Sequence, residues 1–120
     1  MQKHVLSIED EGITAMNLAQ TIENGGYRVT VAFDGREGLE AFYNDPADLV
    51  ITDLSMPILD GFGVIGILKE QAPETRIAVL SGFCPQIEKD RIRSLGVACI
   101  MSKPINARAL VKTVDRELAT

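Results

Sequence analysis

Four short apolar runs in this chain each end in a residue that can do chemistry. The run Asp48-Leu49-Val50-Ile51-Thr52 delivers Asp53 and then breaks at Met56-Pro57. Val5-Leu6-Ser7-Ile8 leads into Glu9-Asp10-Glu11, Ile77-Ala78-Val79-Leu80 into Ser81-Gly82, and a fourth apolar run, at 97–101, leads to Lys103-Pro104. Carboxylates brought close together repel one another unless a cation joins them. Oxygen ligands in small number suit Mg²⁺, with Mn²⁺ as an alternative, and Mg²⁺ commonly pairs with phosphate oxygens. A lysine beside such acids pairs with a carboxylate at rest and can neutralise a transferred phosphoryl group. A serine hydroxyl can donate to a phosphoryl oxygen, and glycine lets its own N–H come close because no Cβ intervenes. Gathered in one place, these groups suit attack by an Asp53 oxygen on phosphorus, with acyl phosphate as product. Taken singly, each has a plainer reading: solvated strand-end acids without metal, a Ser-Gly turn, a surface lysine before a proline.

Whether they meet depends on the elements that carry them. Apolar runs at residues 5–8, 49–52, 77–80 and 97–101 are nearly continuous, as in a sheet covered on both faces. The run at 27–33 alternates more and reads as an edge strand with one wetter face. Helical spacing separates them. Ala15, Leu18, Ala19 and Ile22 form one stripe, closed by Gly25-Gly26. Leu39 and Phe42 form a second, in a helix that stops before Asp45-Pro46. Phe62, Ile65 and Leu68 form a third behind an Asp60 cap, with Pro73 beyond the helix end. Residues 86–95 form a charged helix closed by Gly96, and Leu110, Val114 and Leu118 lie behind an Asn106 cap.

Five strand–helix repeats predict a doubly wound α/β fold with a five-stranded parallel sheet of order 2-1-3-4-5, flavodoxin-like (βα)5. Its switch point falls between strands 1 and 3, so Glu9-Asp10 and Asp53 become spatial neighbours at the carboxyl edge.

The 120 residues suffice for one domain, 1–120, and not for two. A formal charge of −5, with 12 Lys and Arg scattered among 17 Asp and Glu, argues against direct nucleic acid binding by this chain. No stretch approaches the roughly 18 apolar residues of a membrane span, and no signal peptide is visible. Cys84 and Cys99 offer neither a metal spacing nor a redox pair. A cytoplasmic module is expected.

The motifs together resemble the receiver domain of two-component response regulators, the CheY-like family, over essentially the whole chain. They are Val5-Leu6-Ser7-Ile8-Glu9-Asp10-Glu11, Asp48 through Pro57 with Asp60-Gly61, Val79-Leu80-Ser81-Gly82, and Ser102-Lys103-Pro104. The resemblance implies that Asp53 is the phosphoacceptor. It implies Mg²⁺ held by Asp10, Asp53, Glu9 (directly or through a water) and the Ser55 backbone carbonyl. Lys103, Ser81 and the backbone N–H groups of Leu54 and Gly82 would contact the phosphoryl group. Pro104 is expected to be structural, fixing the chain after Lys103 through a cis bond. The donor would be a phosphohistidine on a histidine kinase or histidine phosphotransfer protein. The output would pass through the helix 4–strand 5–helix 5 face to a downstream protein or to an effector domain absent from this chain. Met1 suits a domain at the start of its gene product. His4, at the far end of strand 1, reads as a surface or strand-start histidine and not as an internal donor.

Two rivals share parts of the pattern. A pseudo-receiver would bind partners without phosphorylation, but the acid, hydroxyl and lysine set is complete. A haloacid-dehalogenase-type phosphatase also uses an Asp nucleophile with Mg²⁺, but it needs a second acid two residues on, where this chain has Ser55.

Ser55 and Phe83 occupy places that in the family influence water access. Phe83 is bulky and apolar, so slow self-dephosphorylation is expected, and the hydrolysis rate of Phe83→Glu tests it. Three residues before the lysine the family often has Tyr or Phe, and this chain has Ile100. Isoleucine cannot reproduce the inward swing of a ring, so a muted or altered shift of the strand 4–helix 4 loop is expected. Amide chemical shifts with and without a beryllofluoride mimic check this. Large changes across residues 87–97 and the last helix would contradict a muted switch.

Overall fold

The computed structural model describes residues 2–56, 58–82 and 85–119. Strands and helices alternate throughout: β1 (His4–Ile8), α1 (Gly12–Asn24), β2 (Arg28–Ala32), α2 (Gly35–Asn44), β3 (Leu49–Asp53), α3 (Gly61–Gln71), β4 (Arg76–Ser81), α4 (Gln86–Ser94), β5 (Cys99–Ser102) and α5 (Ala107–Leu118). All pairings are parallel, and the sheet order is β2-β1-β3-β4-β5, as the sequence predicts.

Alternation along each strand divides the core into two layers, because successive side chains point to opposite faces. Leu6, Ile8, Val50, Ile77 and Val79 pack with Leu39 and Phe42 of α2, with Val64, Ile65 and Leu68 of α3, and with Ile92 of α4. Val5, Leu49, Ile51, Ala78 and Leu80 pack with Leu18 and Ile22 of α1 and with Leu110 and Val114 of α5. The two-sided cover explains why β1, β3 and β4 lack polar alternation. β2 is the wetter edge, as expected. β5 is the opposite edge, and only Met101 of its four residues is buried. Its apolar run therefore overstates its burial, because an edge strand has a neighbour on one side only.

Side chains fix where the helices begin. Asp60 accepts from the Gly63 N–H at 3.0 Å and Asn106 from the Ala109 N–H at 2.8 Å, the two expected caps. Asp34 caps α2 through the Glu37 N–H, and Glu11 caps α1 through the N–H groups of Ile13 and Thr14. The α1 stripe is buried at Ala15, Leu18, Ala19 and Ile22, as its spacing predicts. In α3 the buried positions include Val64 beside Ile65 and Leu68, whereas Phe62 is only half-buried. The Arg91 guanidinium carbon sits 4.0 Å above the Phe62 ring, so that aromatic joins α3 to α4 by a cation–π contact.

Of the two readings open for His4, strand-start holds and surface does not: it begins β1 and is buried at 2% exposure. Its Nε2 lies 2.7 Å from the Thr30 hydroxyl and its Nδ1 3.3 Å from the Pro46 carbonyl. A carbonyl only accepts, which places the ring proton on Nδ1 and leaves Nε2 to accept from Thr30. Both ring nitrogens are thus satisfied at the edge of the sheet opposite the acids.

The loop from β3 to α3 is tight. Ile58 has φ 71°, a left-handed conformation that costs a branched residue about 1–2 kcal/mol. The Gly61 N–H donates to the Leu54 carbonyl at 3.0 Å, which folds the start of α3 back onto the end of β3. A Cβ at Gly61 would strike the Asp53 carbonyl oxygen and lie 2.7 Å from the Leu54 Cα. Backbone cannot yield as a side chain end can. Gly61→Ala is therefore expected to cost about 1–3 kcal/mol of stability, with amide shifts concentrated at residues 53–55. Chemical denaturation and a two-dimensional amide spectrum check this, and an unchanged midpoint would contradict it.

Candidate functional site

The carboxyl edges of β1, β3, β4 and β5 meet at one rim. Register sets Ile8 beside Thr52, Asp53 beside Leu80 and Ser81 beside Ser102. The residues just beyond those pairs therefore cluster without any long loop. Carboxylate oxygens of Glu9, Asp10 and Asp53 lie within 4.8 Å of one another. Glu9 is 2% and Asp53 8% exposed, whereas Asp10 faces solvent. Glu11, the third acid of the sequence run, is turned away as the α1 cap, and the Thr14 hydroxyl and amide hold its carboxyl below the ordinary range.

Lys103 binds this cluster together. Its Nζ donates to Asp53 Oδ2 at 2.8 Å and forms an ion pair with Glu9 Oε1 at 2.5 Å. Asp53 Oδ1 accepts from the Ser55 N–H at 3.2 Å, so both carboxylate oxygens are oriented. The Lys103–Pro104 peptide is cis, as the sequence suggests. Burial pushes the Lys103 ammonium towards losing its proton, but the pairs with Asp53 and Glu9 outweigh it and raise its pKa. The raised value means that the pairing stabilises the fold fully below the ordinary lysine pKa and is lost as pH climbs past the folded one.

Glu9 is shifted for a different reason. Burial lifts its carboxyl above the ordinary range and the Asp53 charge adds to that, while Lys103 and the Glu11 N–H pull the other way. Charging Glu9 beside a charged Asp53 is thus unfavourable, and a cation would relieve it. Three hard oxygen donors on rigid strand ends fit a small divalent ion.

A cavity of about 330 Å³ opens beside the acids, lined by Asp53, Leu54, Ser55, Ser81, Gly82, Glu88 and Lys103. The four residues expected to contact a phosphoryl group, Leu54, Ser81, Gly82 and Lys103, therefore share one space. Ile100 is half-buried on β5 beside Val79 and packs against the α2–α3–α4 layer. Phe83 and Cys84 lie outside the described residues. From the sequence, Glu88 reads only as one of the mixed charges Glu88-Lys89-Asp90-Arg91 and Arg93, which suit a docking or dimer face on helix 4, and not as a residue of the site. Its position three residues after Pro85 marks it as first-turn, but only the packing of α4 brings it to the cavity. A larger cavity of about 450 Å³ lies between α1 and α5 and reaches Lys103 from the other side, with no acid in its lining.

The response regulator receiver domain family matches residues 5–115. The chain belongs to that family. It is similar over 97% of both chains, at 28% identity, to the response regulator receiver protein CpdR of Brucella abortus. It is 32% identical to the alkaline phosphatase synthesis transcriptional regulatory protein PhoP of Bacillus subtilis, of which it spans 50%. Of the hybrid signal transduction protein dokA of Dictyostelium discoideum it spans 7%, at 29% identity. Some relatives thus have the receiver's own length, and others are much longer than this chain. Among solved structures, the chemotaxis protein CheY4 of Vibrio cholerae superposes with a TM-score of 0.92 at 28% identity, covering 98% of this chain and all of that one. As a receiver domain, the chain is a phosphoacceptor module of two-component signalling. Among the described residues no helix is long and apolar enough to cross a membrane.

The raised Glu9 pKa has a direct consequence for cation binding. Protons compete for this carboxylate at a higher pH than for an ordinary one. Mn²⁺ affinity, read by paramagnetic broadening of amide signals, is expected to fall as pH is lowered. In Glu9→Gln the binding is weaker at neutral pH and the early part of that fall is missing. A pH profile identical in the two proteins would contradict the assignment.

Proposed function

We propose that Asp53 accepts a phosphoryl group from a phosphohistidine on a histidine kinase or histidine phosphotransfer protein. The observation that carries this is the placement of Asp53: oriented by Lys103 and the Ser55 N–H, it opens on a cavity shared with Ser81. An oxygen of Asp53 attacks phosphorus in line. The new O–P bond forms as the P–N bond to the donor imidazole breaks, and the nitrogen keeps the electron pair. Asp53 needs no general base, because a carboxylate is already the nucleophile.

Glu9, Asp10, Asp53 and the Ser55 carbonyl would hold Mg²⁺ or Mn²⁺, which when bound supplies Lewis-acid neutralisation of phosphoryl charge. Lys103 moves its donor contact from the carboxylate to a phosphoryl oxygen. The Ser81 hydroxyl and the N–H groups of Leu54 and Gly82 donate to the remaining oxygens, at positions fixed by the ends of β3 and β4. Ser81 is buried at 7% exposure, so this hydroxyl acts away from bulk water, where donors count for more.

Residues 1–120 act as one receiver domain, in the cytoplasm, and pass the signal through α4, β5 and α5 to a downstream protein or an effector domain. That route is supported by the way α4 is held. Ile92 is its single buried residue, and the Arg91–Phe62 contact is its lateral tie. An element with so little buried area responds to small changes at its amino end. Phosphorylation adds one to two negative charges beside it.

Incubation with acetyl phosphate or a phosphorylated kinase, with and without Mg²⁺, tests the assignment. Intact mass is expected to rise by one phosphoryl group in the presence of Mg²⁺, and not in Asp53→Asn. Absence of the adduct in the wild-type protein with both donors would overturn the proposal.

A further inference from the structure

Glu88 has no part in the transfer described above, although it lines the same cavity as Asp53, Ser81 and Lys103. It sits in the first turn of α4 and is half-buried. Among the described residues it makes no hydrogen bond or ion pair, whereas Asp53 and Glu9 are both engaged. Among the described residues Lys103 is the only cation on the cavity, and it is committed to Glu9 and Asp53. The Glu88 carboxylate therefore borders this space without an ion-pair partner.

Resting on the reading of Asp53 as phosphoacceptor, we infer that Glu88 sets how firmly the site retains a phosphoryl group. Its carboxylate opposes the phosphoryl charge, so that the acyl phosphate is held weakly and readily given up. The phosphoryl group brings one to two negative charges into a partly desolvated space, where like charges repel more strongly than in water. The repulsion is absent before transfer and present after it. It therefore shifts the balance of transfer towards phosphohistidine, whose nitrogen can attack phosphorus and release the Asp53 carboxylate. Glu88 does not touch the reacting atoms through any contact in the structure, so it acts as a residue that tunes retention by its field. The plainer role for a first-turn acid is to favour the helix dipole at an end where Pro85 provides no side-chain cap. That role predicts an effect on stability alone, and the two can be told apart.

The test titrates the full chain with beryllofluoride in the presence of Mg²⁺, following amide shifts, for the wild-type protein, Glu88→Gln and Glu88→Lys. The neutral variant is expected to saturate at about three- to tenfold lower beryllofluoride concentration than the wild type, and the lysine variant lower still. The advantage of Glu88→Gln is expected to shrink as salt is raised from about 0.05 to 0.5 M, since the repulsion is screened. A merely structural change would not show that dependence. Equal midpoints, with or without a lower melting temperature, would overturn the inference. So would a Glu88→Gln protein that only hydrolyses its acyl phosphate more slowly at unchanged beryllofluoride affinity, because Glu88 would then act on water. A wild-type protein that binds no beryllofluoride would instead take down the phosphoacceptor reading itself.

Discussion

Everything at the carboxyl edge of this sheet depends on one ammonium group. Three acids converge there because the strand order places β1 beside β3. Their mutual repulsion is answered in the resting protein by Lys103, from the far edge of the sheet. Two distances, 2.8 Å to Asp53 and 2.5 Å to Glu9, make Lys103 a common partner and not a private one. A buried charge pair with unequal burial is a poor source of stability, since desolvation opposes the attraction. Its value here is positional. The same contact that restrains Asp53 at rest has a phosphoryl oxygen as its natural alternative, so the resting arrangement and the reacting one compete for one donor.

The scaffold is arranged so that this competition stays local. β3 is buried along its length, and Gly61 ties the loop after it to the Leu54 carbonyl. Asp53 therefore cannot drift when its partners change. α4 contrasts with that rigidity. It approaches the site through Glu88 and is anchored by Ile92 and by Arg91 against Phe62. A stiff acceptor beside a lightly held helix is a physical basis for turning a change of charge into a change of surface. Ile100, half-buried on the edge strand, provides no ring to move between the two.

Legibility from the sequence followed the strength of the local signal. The α1 stripe of Ala15, Leu18, Ala19 and Ile22 was readable residue by residue, because a helix packed on a sheet repeats its burial every three to four positions. The caps at Asp60 and Asn106 were readable because they act within one turn. The stripe spacing puts Phe62 among the buried positions, but it is half-buried and meets Arg91, 29 residues away, a partner that no local pattern records. The strand-start position of His4 is legible locally, but its burial is not, because its partners, Thr30 and Pro46, come from other parts of the chain. Glu11 and Glu9 look alike in sequence, and only chain direction after β1 makes one a cap and the other a site acid.

The sequence by itself determined the order of elements, the sheet topology that follows from it, and the types of residue that each strand end presents. Those features depend on periodicity and on short-range chemistry, which a linear chain records. The tertiary structure alone decided how Lys103 is shared, that burial raises the Glu9 carboxyl above its ordinary range, and that Glu88 borders the same cavity as Asp53. These are matters of distance and desolvation between segments up to about a hundred residues apart, and neither quantity exists until the sheet has formed.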